Sequence, residues 1–78
     1  MEPNEFIDFL NQKTGMNLKH DQVDTDLTQI AEWDSLTFVY TIMELEFRNS
    51  ITLNVEKILK CNNLRKILKV VNDEIQKN

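Results

Sequence analysis

The sequence predicts an all-α domain: a small four-helix bundle with a long loop between helices 1 and 2 and a short helix 3. Three observations carry that expectation. Glycine and proline occur once each, too rarely for the many turns of a small β fold. Leu64, Ile67, Leu68, Val71 and Ile75 recur at i, i+3, i+4, i+7 and i+11, the spacing of one helix face. Residues 36–47 are apolar around much of a helix circumference, as a central helix would be.

The 78 residues make one domain, 1–78, with a modest core that must be filled efficiently. The first helix spans residues 4–14. It places Phe6, Ile7 and Leu10 on one face, Phe9 on its shoulder, and Glu5, Asp8 and Asn11 outward. Pro3 suits the helix start and Gly15 its left-handed end. From Gly15 to Trp33 the periodicity disappears. Met16, Leu18, Val23, Leu27 and Ile30 are then expected to pin a loop, with a helical turn around Asp26–Ala31.

The second helix is expected from Ser35 to Phe47 or Arg48. Phe38, Ile42 and Leu45 form one stripe, and Leu36, Val39, Met43 and Phe47 an adjacent one, so this helix can serve both core and partner. Asn49-Ser50 breaks it, and Ile51 and Leu53 anchor the connection. Asn54 is placed to cap a brief third helix reaching about Lys60. Cys61-Asn62-Asn63 is the next break, again with a capping asparagine. The last helix runs from Leu64 to about Gln76, with Arg65, Lys66, Lys69 and Asp73 outward.

Charge narrows the function. The net charge of -4 comes from an acidic first half, while bases gather toward the C-terminus. Lys57, Lys60, Arg65, Lys66 and Lys69 read as a solvated helix face, so no nucleic-acid partner is expected; a small regulator binding nucleic acid there is the weakest alternative. Cys61 stands alone, which suits a reducing compartment. No apolar run approaches a membrane span and Met1-Glu2-Pro3-Asn4 lacks signal-peptide character, so a cytoplasmic location is expected. His20 has no second ligand, so no metal site is expected. Neither Ser35 nor Cys61 has a histidine at a motif spacing, so no catalytic residue is assigned and the chain is read as a non-enzyme.

What remains is Asp34-Ser35-Leu36, directly before the apolar helix. Asp and Ser are both favoured helix caps, and the tripeptide alone reads as an ordinary helix start. A serine there also places a hydroxyl beside a partially positive helix end, a good place to hold a phosphate. In the middle of a small acidic helical chain, with Met43-Glu44-Leu45-Glu46-Phe47 and Ile51 following, the pattern resembles the acyl carrier proteins and the related peptidyl carrier domains.

The resemblance covers nearly the whole chain and implies a four-helix bundle of acyl-carrier-protein type. It implies that Ser35 receives 4′-phosphopantetheine covalently from coenzyme A, with Asp34 beside it. It also implies a phosphopantetheinyl transferase and acyl- or aminoacyl-loading, condensing or transferring enzymes as partners. The expected recognition residues are Leu36, Thr37, Val39, Tyr40 and Met43. Fatty-acid carriers typically present acids on that side, carry a small residue at the position of Trp33, and have about two more residues before the position of Phe47. These departures point to a specialised pathway (polyketide, nonribosomal peptide or related) rather than housekeeping fatty-acid synthesis. A monomer is expected, although an apolar helix face would also allow self-association. The alternative is a non-carrier interaction module in which the second helix docks a partner and Ser35 is only a cap.

Overall fold

Residues 1–77 are described by the computed structural model, and over them the chain forms four α-helices and no strand. They are α1 (Pro3–Thr14), α2 (Ser35–Asn49), α3 (Val55–Leu59) and α4 (Leu64–Lys77). Helix α1 opens on Pro3, which has no amide to leave unpaired, and Glu5 Oε1 accepts from the Glu2 amide. It closes on Gly15, whose φ of 76° is the left-handed conformation glycine adopts without a Cβ clash. Helix α2 ends differently. Ser50 takes φ 53° there, and the amides of Ser50 and Ile51 both donate to the Glu46 carbonyl.

The long connection is neither helix nor free loop. It contains the turn expected near residue 27 (a 3₁₀ turn, Leu27–Gln29) and a second 3₁₀ turn, His20–Asp24, with no counterpart in the sequence reading. Its apolar residues pin it as expected: Met16, Leu18, Val23 and Ile30 are buried and Leu27 packs against the core. Asn11 departs from its expected outward role. Its side-chain amide donates to the Leu18 carbonyl at 2.9 Å, and its Oδ1 accepts from the Leu18 amide at 2.8 Å. The side chain thus satisfies both backbone groups of a residue whose own side chain must stay buried.

Three further ties hold the connection. Leu27 donates its amide to the Asn62 carbonyl at 2.9 Å, and His20 Nε2 lies 2.8 Å from Asp8 Oδ1. Arg65 donates from Nε and Nη2 to the two Asp24 carboxylate oxygens at 2.6 and 3.1 Å, the fork geometry that makes arginine–carboxylate pairs directional. That bond, with the charge of the partner, holds Asp24 below the usual carboxylate range and raises Arg65.

Helix α1 packs on α2, α4 and the first 3₁₀ turn, while α3 packs on α4. Phe6, Ile7, Leu10, Leu45, Ile58, Leu64, Ile67 and Val71 are wholly buried where these elements meet. Phe9, placed on the shoulder by its spacing, is also a core residue, and the Arg48 guanidinium lies over its ring at 5.3 Å from the centroid. Ile51 and Leu53 are buried, and Glu46 accepts the Leu53 amide at 2.8 Å. Asn54 and Asn63 cap α3 and α4 through the amides of Lys57 and Lys66. The radius of gyration, 11.4 Å, is close to the ~11.5 Å expected for a compact chain of this length, so the long connection adds no extended arm.

Candidate functional site at the start of helix α2

The residues around Ser35 divide the labour of a helix start. Asp34 is the N-cap, with extended backbone (φ -129°, ψ 179°) and Oδ1 accepting the Thr37 amide at 2.8 Å. That amide first, and the Thr37 hydroxyl second, hold the Asp34 carboxyl below its ordinary range. Ser35 is therefore not the cap. It is the first helical residue, exposed, and its hydroxyl makes no hydrogen bond among the described residues.

The chain delivers this turn from a fixed direction. The Trp33 amide donates to the Ile30 carbonyl at 3.1 Å, and the indole meets Phe38 edge to face with centroids 6.2 Å apart and planes at 80°. Leu27, Trp33, Phe38, Ile58, Leu59 and Cys61 line an open hollow of about 270 Å³ that Asp34 and Ser35 border. Cys61 Sγ lies 3.4 Å from the Lys57 carbonyl, and burial pushes its thiol up, so it stays protonated at neutral pH. A second hollow, about 350 Å³, lies toward the end of α1, bordered by Lys13, Thr14, Leu36, Thr37 and Tyr40.

The expected recognition residues separate into two groups. Thr37 is half-buried, with its amide committed to Asp34. Leu36, Val39, Tyr40 and Met43 are exposed, and Phe47 continues their line as the most exposed large apolar residue of the chain at 86%. Sequence reasoning put Phe47 on this stripe but left it out of the site. Its spacing of eleven from Leu36 was the available signal. Leu59, exposed at the edge of the first hollow, carried no such signal, because one residue of a five-residue helix shows no period.

Other candidates lie elsewhere. His20 is engaged with Asp8 rather than bordering either hollow beside Ser35. Among the described residues no three His, Cys, Asp or Glu side chains form a group able to hold a metal ion. Of the C-terminal bases, Arg65 is paired with Asp24 and Lys69 lies 3.7 Å from Asp73, so the basic face is partly neutralised. No helix among the described residues is long and apolar enough to cross a membrane.

The chain matches no protein-family profile, no curated protein and no solved structure.

Proposed function

We propose that the chain is a stand-alone carrier whose Ser35 hydroxyl accepts 4′-phosphopantetheine from coenzyme A, in a bundle of acyl-carrier-protein type. One observation carries the reading: Asp34 takes the whole capping role, so Ser35 is left as an exposed hydroxyl without a structural task. The residues fit such a group. The hydroxyl is reachable from solvent, it opens a helix whose free amides and dipole favour an anion, and an apolar hollow lies alongside. When bound, the group supplies a flexible arm ending in a thiol that holds an acyl or aminoacyl cargo as a thioester.

In the loading step the Ser35 Oγ–phosphorus bond forms as the coenzyme A pyrophosphate link breaks, 3′,5′-adenosine bisphosphate departs as the leaving group, and the hydroxyl proton passes to a base. The transferase supplies that base, because Asp34 is committed to the Thr37 amide and His20 to Asp8. The chain's own contribution is positional: Asp34 fixes the first turn, and Trp33 with Phe38 fixes the approach. Leu36, Val39, Tyr40 and Met43 then present an apolar rather than acidic surface to the partner enzymes, which favours a specialised pathway in the cytoplasm over fatty-acid synthesis.

Incubation with coenzyme A and a promiscuous phosphopantetheinyl transferase tests the reading by intact mass. The wild type should gain one phosphopantetheinyl group and Ser35→Ala none. No gain with several transferases overturns the carrier reading, and a gain that survives Ser35→Ala moves the site. The interaction-module reading is favoured by one observation, the length of the exposed stripe from Leu36 to Phe47; its cap, however, is Asp34 and not Ser35.

A further inference from the structure

The outer face of α2 has a regularity that partner recognition near Ser35 does not require. Leu36, Tyr40, Met43 and Phe47 follow one another at intervals of four, three and four, the spacing of a coiled-coil seam, with Val39 widening it. All five are exposed, at 79%, 41%, 61%, 86% and 51% in that order. Applied to full side-chain surfaces of about 150–250 Å², these fractions leave roughly 600 Å² of contiguous apolar surface. That is at the upper edge of the largest patch on an ordinary monomer, ~300–600 Å². Two such faces together bury about 1,200 Å², the lower bound for a specific interface.

We infer that this face pairs with a second copy of the chain, the two α2 helices packing antiparallel about a two-fold axis between Tyr40 and Met43. Three features favour a second copy in that orientation. The stripe is self-complementary by length: Leu36 of one copy meets Phe47 of the other, and Tyr40 meets Met43. Residues 35–43 carry no charge, so a strongly charged partner would find little to pair with. The antiparallel arrangement sets Glu44 beside Thr37 and Glu46 beside Val39 of the second copy, so that no acid directly opposes another. It also opposes the two helix dipoles.

The pairing does not depend on modification of Ser35. It covers the surface that the proposed carrier would show its enzymes, so dimer formation and partner docking exclude each other. The small area makes the dimer weak, and its rise in mass should fall between about 10 µM and 1 mM.

Sedimentation velocity across that range tests it. The wild type and Ser35→Ala should both move from 9.2 kDa toward twice that mass, whatever the outcome of phosphopantetheinylation. Met43→Glu and Phe47→Glu, both at exposed positions, should remain at 9.2 kDa with unchanged helical circular dichroism. Orientation is read in a Cys61→Ser background: mixed Leu36→Cys and Phe47→Cys chains should cross-link to each other under mild oxidation, while Leu36→Cys alone should not. A wild type that stays at 9.2 kDa throughout overturns the proposal and leaves the stripe to a helix of another protein. Doubling that survives Met43→Glu also overturns it, and efficient cross-linking of Leu36→Cys to itself overturns the antiparallel geometry.

Discussion

Thr41→Val should stabilise this protein. Thr41 lies on the core side of α2, in step with Phe38, Ile42 and Leu45, and is 1% exposed. Its Oγ1 is buried and has no hydrogen-bond partner among the described residues. A buried hydroxyl left unsatisfied costs about 1–3 kcal/mol, and valine replaces it with a methyl of similar shape at nearly equal helix propensity. Part of that gain is lost if the larger methyl packs tightly against its neighbours, so a net stabilisation of about 1 kcal/mol is expected. In a domain of this size that corresponds to a rise of about 4–8 °C in Tm.

Urea unfolding followed by circular dichroism, with a thermal scan beside it, measures the difference. The urea midpoint should rise while the slope of the transition stays constant, since the surface exposed on unfolding is unchanged. Thr41→Ser is the counter-test. It keeps the hydroxyl and removes the methyl, so it should destabilise by about 1 kcal/mol. A Thr41→Val protein less stable than wild type would refute the reasoning. The hydroxyl would then be satisfied after all, most simply by bonding back to the carbonyl one turn earlier in α2.

Substitutions at two other residues probe how the candidate site is held. Asn11→Ala removes both bonds to the Leu18 backbone and should cost about 2 kcal/mol in urea unfolding, with Asn11→Asp, which keeps the acceptor, costing less; a loss below about 0.5 kcal/mol would mean that the clamp is ornamental. Asp34, Asp24 and Asp26 are all held below the ordinary carboxylate value of 3.8, by Thr37, Arg65 and Thr28 respectively. A depressed folded-state pKa contributes stability that is complete above the unfolded value and lost as pH falls through the folded one. Tm should therefore drop as pH is lowered below about 4. Asp34→Asn should flatten part of that drop, and an identical pH profile for the variant would show that the cap carries no charge-dependent stability.

Helix positions were legible wherever a period existed. Leu64, Ile67, Leu68 and Val71 of α4 and Ile42 and Leu45 of α2 are buried where the spacing put them, with Ile75 and Phe38 partly buried against the same core, and Asn54 and Asn63 cap the helices that their chemistry announced. Contacts made across the fold were not legible. Asn11 has the polarity of a surface residue, and only the fold brings Leu18 within its reach. The His20–Asp24 turn has no apolar period to betray it and rests on Val23 in the core and on ties made to α1 and α4. Thr41 was visible in principle, since it stands three residues after Phe38 and four before Leu45, but its polarity argued against a core position. At the site, composition could not choose between two adjacent capping residues. The geometry did, giving the Thr37 amide to Asp34.

The ties along the connection between α1 and α2 have a consequence for any enzyme that must act on Ser35. Asn11, Asp8, Arg65 and Asn62 hold that connection at four separate points before it reaches Trp33. A serine on a slack segment would have to be ordered at the moment of encounter, and each residue immobilised then would weaken binding. Here that ordering was completed when the chain folded. An enzyme acting on Ser35 would therefore meet a residue already held in place, with the whole bundle as the rigid handle by which it is presented.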